Sequence, residues 1–178
     1  MFLKYLNKLA LLSSLLIVFS LLFTSMLCAQ TDGGETDLLK AVESGYLAHR
    51  RADYDDAINI YSSVLRRRGL TARQRAVTYL LRGEAKRDKG EVLEAVYDFT
   101  RALNQWPNYP QAVFFRGQAL SVLNRPQDAL KDLSRAVELD PNREAYNTNL
   151  LLLKKKMQSE GLSVDVSDTN LVIEIPTD

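Results

Sequence analysis

Two consecutive stretches of this chain, Ala76–Tyr109 and Pro110–Arg143, spell nearly the same pattern. Gly83 recurs as Gly117, Ala85 as Ala119, Ala95 as Ala129, Asp98 as Asp132, Ala102 as Ala136 and Pro107 as Pro141. A fixed period of about 34 residues marks stacked helical hairpins, each too small to bury its apolar face alone. It confines the fold to an array and places function on a surface assembled from successive hairpins. A third copy stands upstream, where Gly45, Ala57 and Tyr61 keep the spacing of Gly83, Ala95 and Phe99 and of Gly117, Ala129 and Leu133. The step from Gly45 to Gly83 is longer than the step from Gly83 to Gly117, so a short insertion falls within Arg66–Arg75.

Local signals divide each copy into two helices. Leu38–Arg50 and Tyr54–Arg67 form the first pair, with Asp53 placed to cap the second helix. Thr71 and Gln74 make a capping-box pattern that opens a helix running to Lys89, where Gly90 breaks it and Val92–Asn104 continues. Pro107 and Pro110 bracket the loop before Gln111–Leu123, and Asn124-Arg125-Pro126 turns into Gln127–Leu139. Asp140-Pro141-Asn142 begins a further repeat of which one helix follows, Glu144–Glu160, with Leu151 where the glycine recurs. Such a lone helix covers the open end of a stack. The β-branched runs Leu162–Val166 and Leu171–Ile175 flank Ser167–Asn170 and suit a small hairpin. That tail either packs on the protein's own surface or pairs with a partner. The organisation is a leader or anchor over 1–29, a linker over 30–37, a repeat array over 38–160 (38–71, 76–109, 110–143 and a capping helix 144–160), and a tail over 161–178.

The recurring residues call for a packing account. A glycine inside a helix costs about 1 kcal/mol against alanine, so Gly45, Gly83 and Gly117 imply a compensating close approach. The alanines Ala57, Ala95 and Ala129 are the expected small partners on the paired helix. Arg82 and Asp98 recur at the same offset as Arg116 and Asp132, which predicts an ion pair joining the two helices of each hairpin.

These residues resemble tetratricopeptide repeats. The resemblance rests on Gly45, Gly83 and Gly117, on Ala57, Ala95 and Ala129, on Tyr61, Phe99 and Leu133, and on Pro107 and Pro141. Tyr54-Asp55-Asp56-Ala57 and Asp140-Pro141-Asn142 are especially similar, while Val64 and Gly69 depart from the family pattern. The resemblance implies an all-α, right-handed α-solenoid of three hairpins plus a capping helix, with a concave face lined by the first helix of each pair. On that face it places Tyr46 and His49, then Leu81, Glu84 and Arg87, then Phe114, Phe115 and Gln118. Some members clamp a carboxylate there with Lys, Asn and Arg, whereas this chain has Val42, Tyr46, Leu81, Gln111 and Phe115. The implied groove is apolar and aromatic, and suits an amphipathic helix or an extended apolar peptide.

Composition excludes more than it proposes. Lys and Arg total 23 against 22 acids, so no global charge recruits nucleic acid. Lys4 and Lys8 precede Leu9–Leu27, an unbroken run without charge, which directs export. Cleavage after Ala29 gives a periplasmic or secreted chain, and retention gives an anchor in the inner membrane. Cys28 follows Leu27, a poor match to the small residue that precedes a lipidated cysteine. His49 is the one histidine and reads as exposed beside Arg50 and Arg51, and no phosphate loop, nucleophile elbow or metal-ligand cluster is present. No cofactor is implied. The function expected is a non-enzymatic adaptor of the cell envelope that holds a protein or peptide partner, its oligomeric state open. The alternative is a structural subunit of a membrane-associated assembly, acting through the anchor or the tail.

Overall fold

The computed structural model describes residues 36–162. The chain divides into two compact units, 1–43 and 44–178. Of the first, residues 36–43 are described, as the opening turns of helix α1 (36–50), so that helix begins inside the expected linker. The second unit carries the rest of α1 and then α2 (Tyr54–Leu65), α3 (Ala72–Lys89), α4 (Val92–Gln105), α5 (Pro110–Val122), α6 (Pro126–Leu139) and α7 (Glu144–Ser159). All regular structure among the described residues is helical. The expected leader over 1–29 and the β-hairpin of the tail lie outside the described residues.

Each hairpin turns on a residue of left-handed backbone: Ala52 at φ 63°, Gly90 at φ 97° and Asn124 at φ 56°. Around Gly90 the amide of Glu91 donates to Lys86 O at 2.8 Å and Gly90 N to Arg87 O at 2.9 Å, the paired bonds of a Schellman ending. The same pair recurs as Asp53 N to Ala48 O with Ala52 N to His49 O, and as Arg125 N to Leu120 O with Asn124 N to Ser121 O. After α4 and α6 the chain is stopped by proline, whereas the connection after α2 turns on Gly69 at φ 82°. Trp106, which precedes Pro107, is extended, as a residue before proline prefers, and Asp140, which precedes Pro141, has left the helical region at φ −146° and ψ 80°.

The capping box forms as expected, with Gln74 N donating to Thr71 Oγ1 at 3.2 Å and Thr71 N donating to Gln74 Oε1 at 2.9 Å. Asp53 makes no side-chain cap on α2; its carboxylate instead accepts from Arg51 Nε at 3.2 Å. The glycines are needed, but not for the expected reason. A Cβ on Gly45 would stand 2.6 Å from the Tyr61 ring, and one on Gly83 2.6 Å from the Phe99 ring. One on Gly117 would meet Leu133 and Asp132 Cβ at 3.1 Å. The close partner is therefore the large residue four positions after each alanine. Ala57, Ala95 and Ala129 are fully buried, but they are not what the glycines face.

The expected ion pairs form and extend further. Arg82 grips Asp98 with Nε at 2.8 Å and a second nitrogen at 2.6 Å, while its third nitrogen donates to Ser62 Oγ on α2 at 3.0 Å. Arg116 repeats this with Asp132 at 2.7 and 2.8 Å and with Thr100 on α4 at 3.5 Å. Each arginine thus ties its own hairpin to the one before it. One repeat further on, the arginine's place is taken by Leu150, which is buried, and α7 closes the stack with Tyr146, Leu153 and Met157.

Candidate functional site

The first helices of successive hairpins approach one another: α3 touches α5 and α5 touches α7, whereas α4 and α6 make no close backbone approach. Side chains three and four positions apart on these helices share a face. On α5 that face holds Phe115, Gln118 and Val122, and on α7 Asn149, Leu152 and Lys156. Together with Arg87 of α3 they line a groove of ≈ 700 Å³.

Aromatic rings form the floor. Phe115 stacks on Phe99 with centroids 6.0 Å apart and lies 5.4 Å from Phe114, whose ring in turn sits 4.5 Å from Tyr146. The Arg87 guanidinium carbon stands 4.9 Å from the Phe115 centroid, a cation–π contact. Gln118 Nε2 donates to Asn149 Oδ1 at 2.9 Å and so ties α5 to α7 with a carboxamide pair. Val122 and Leu152 stand open at the rim, 69% and 59% exposed. Lys156 lies on the α7 side, 3.9 Å from Glu160 and more than half exposed.

The eight predicted groove residues divide evenly. Arg87, Phe114, Phe115 and Gln118 line this cavity, and Tyr46, His49, Leu81 and Glu84 do not. Phe114 is 6% exposed and belongs more to the core than to the open floor. Tyr46 is exposed on α1, and Leu81 and Glu84 are half-buried on α3 before the groove begins. His49 was expected in solvent, yet its side chain is 17% exposed, with Nε2 2.9 Å from Asp88 Oδ2 and the ring 5.7 Å from Tyr54. Asp88 also accepts from Arg87 Nε at 2.9 Å, so one carboxylate connects α1 to the groove's cation. Burial works to raise Asp88, but the hydrogen bonds from Arg87 and His49 outweigh it and hold its carboxyl below the usual range. Burial raises Glu84, against opposition from Arg87 and His49.

Sequence reasoning missed the α7 side of the groove. The signal was available: one repeat on from Phe115, Gln118 and Val122 stand Asn149, Leu152 and Lys156. Among the described residues no group of three or more His, Cys, Asp or Glu is placed to hold a metal ion. No described helix is long and apolar enough to cross a membrane.

Comparison with known proteins gives this geometry relatives. Residues 80–144 match the tetratricopeptide-repeat family model. Protein PHOX3 of Arabidopsis thaliana is 30% identical over 91 residues, 51% of this chain and 11% of that protein, so the match spans about a tenth of the relative's length. The Sgt2 tetratricopeptide domain from Aspergillus fumigatus superposes with a TM-score of 0.64 at 22% identity, covering 75% of this chain and 90% of that one. The first such domain of Spaghetti (RPAP3), bound to the HSP90 peptide SRMEEVD, gives 0.62 at 24% identity over 68% and 93%. The second of human RPAP3, in complex with the HSP70 peptide SGPTIEEVD, gives 0.59 at 23% over 65% and 93%. Residues 80–144 of this chain are thus similar to tetratricopeptide repeats, and the described helices share the fold of these solved tetratricopeptide domains.

Proposed function

We propose that the protein is a non-enzymatic adaptor that holds a peptide or amphipathic helix of a partner protein in the groove over α3, α5 and α7. The observation that carries this is the groove itself: an aromatic floor at Phe115, open apolar rims at Val122 and Leu152, and cations at Arg87 and Lys156. Large apolar surface left open beside polar groups that fix orientation is the usual form of a helix- or peptide-binding groove. Two of the structural relatives hold peptides that end in Glu-Glu-Val-Asp. Where the resemblance locates the carboxylate clamp, this chain has Val42, Tyr46, Leu81, Gln111 and Phe115. Its ligand is accordingly one in which buried apolar side chains provide the anchor and an acidic residue meets Arg87 or Lys156.

The leader suggests where this happens. Two lysines followed by the uncharged run Leu9–Leu27 suit export into the cell envelope, with the array beyond the inner membrane and either released near Ala29 or anchored. Mass determination of the mature amino terminus tests this part; an intact leader on a soluble chain would overturn it.

The groove is tested by capture of partners with the wild type and with Val122→Asp plus Leu152→Asp. Both side chains are mostly exposed, so helicity and melting midpoint should hold while recovery of the partner falls at least tenfold, about 1.4 kcal/mol or more. Equal recovery by both proteins would remove the groove from the function.

A further inference from the structure

We infer that the groove over α3, α5 and α7 is occupied by the chain's own residues 163–178, which compete with an outside ligand for it. This rests on the groove being a binding site. Three observations select the occupant. First, 163–178 contain Asp165, Asp168, Glu174 and Asp178 and no Lys, Arg or His, while the groove's charged lining residues are Arg87 and Lys156. Opposite charge on two segments of one chain favours their association, and the tether raises the effective concentration into the millimolar range for a short linker. Second, Leu171, Ile173 and Ile175 alternate, so in an extended chain they form one apolar edge with steps of about 6.6 Å. That edge matches a floor of aromatic rings lined by a carboxamide pair, Gln118 and Asn149, suited to a peptide backbone. Third, the reach is sufficient. The groove's lining on α7 runs from Ala145 to Lys156, about 17 Å of helix axis. The chain passes Lys156 and leaves α7 at Glu160, and the stretch from Leu162 to Leu171 spans up to about 30 Å when extended. That allows a reversal at Gly161, whose φ is 70°, and a return along α7.

The test places a benzophenone amino acid at Ile173 of the full chain and maps its photo-adducts by mass spectrometry. Adducts within one chain should fall on α5 and α7, at residues of the groove. They should drop about fivefold or more with Arg87→Glu plus Lys156→Glu, and likewise in high salt, which screens the exposed pairs. Adducts on α2, α4 or α6, adducts between chains, or a pattern indifferent to those variants would each overturn the inference. A second arm separates this from the groove reading, using a peptide selected by display against the full chain carrying Leu171→Asp, Ile173→Asp and Ile175→Asp. Its affinity should be at least about fivefold higher for that variant than for the wild type, through relief of competition. Equal affinity for both, with binding still lost in Val122→Asp plus Leu152→Asp, would sink the tail and leave the groove standing. Binding indifferent to Val122→Asp plus Leu152→Asp would sink the groove, and the inference that rests on it.

Discussion

Gly83→Ala and Gly117→Ala are the same chemical change at equivalent places, and the structure predicts different outcomes for them. In an open helix each would stabilise by about 1 kcal/mol through propensity. At Gly83 the new Cβ would stand 2.6 and 2.9 Å from two carbons of the Phe99 ring, distances that real methyl groups do not tolerate. Phe99 is fully buried and stacks on Phe115, so any swing of its ring must displace packed neighbours. Overpacking of that kind costs about 1–3 kcal/mol, so the net change is a loss of up to about 2 kcal/mol once the propensity gain of about 1 kcal/mol is subtracted. At Gly117 the contacts are 3.1 Å to Leu133 and to Asp132 Cβ, and a leucine can give by a few tenths of an ångström. Propensity and crowding then nearly cancel, and Gly117→Ala should lie within about 0.5 kcal/mol of the wild type.

Urea unfolding of the two variants checks the difference, and a double-mutant cycle isolates its cause. Phe99→Leu alone leaves a cavity and destabilises. Combined with Gly83→Ala it reproduces the smaller partner found beside Gly117, so the new methyl fills space instead of striking a ring. The cycle should show a favourable coupling of about 1 kcal/mol or more. Gly83→Ala more stable than wild type, or a cycle without coupling, would refute the steric account and leave the recurrent glycines unexplained.

Three further variants each test a single position. Ala52 holds the left-handed turn position that Gly90 fills in the next hairpin, so Ala52→Gly should raise stability by about 0.5–1 kcal/mol, seen as a higher urea midpoint. The Tyr61 hydroxyl is buried without a hydrogen-bond partner among the described residues, and burial pushes its pKa up to about 12; Tyr61→Phe, which copies Phe99, should gain about 1 kcal/mol in the same assay. Glu84 has its pKa raised by burial above the ordinary 4.5, so the folded state holds its proton more tightly than the unfolded state and stability falls as pH rises through that window. Glu84→Gln should therefore raise the melting midpoint at pH 7, with the gain gone at pH 4 and below; a gain of the same size at both pH values would reject the argument.

What was legible in the sequence was what repeats. The period gave the hairpins, the prolines gave the ends of the second and third, and the matched offsets of Arg82–Asp98 and Arg116–Asp132 gave the ion pairs. Contacts that cross between repeats were less visible, because no single copy contains both partners. Ser62 and Thr100, which accept from Arg82 and Arg116, lie in the hairpin before each arginine and are two different residue types, so identity from one copy to the next passes over them. His49 was misplaced for the same reason. Its partner Asp88 lies on the next hairpin, and nothing in the helix around His49 announces it.

The groove shows why variation between copies is the more informative signal. Positions that repeat, such as Gly83 and Gly117 or Asp98 and Asp132, are spent on joining helices, and a surface made only of them would be the same in every array. At the place where α5 has Phe115, Gln118 and Val122, α7 has Asn149, Leu152 and Lys156. The substitution of one set for the other turns a repeated backbone position into two walls that each carry an amide and an aliphatic residue but differ in the third, aromatic Phe115 on one side and cationic Lys156 on the other. A ligand that fits both walls at once must itself be asymmetric, apolar along one edge and acidic near an end. That requirement follows from the difference between two copies of one pattern, and neither copy alone contains it.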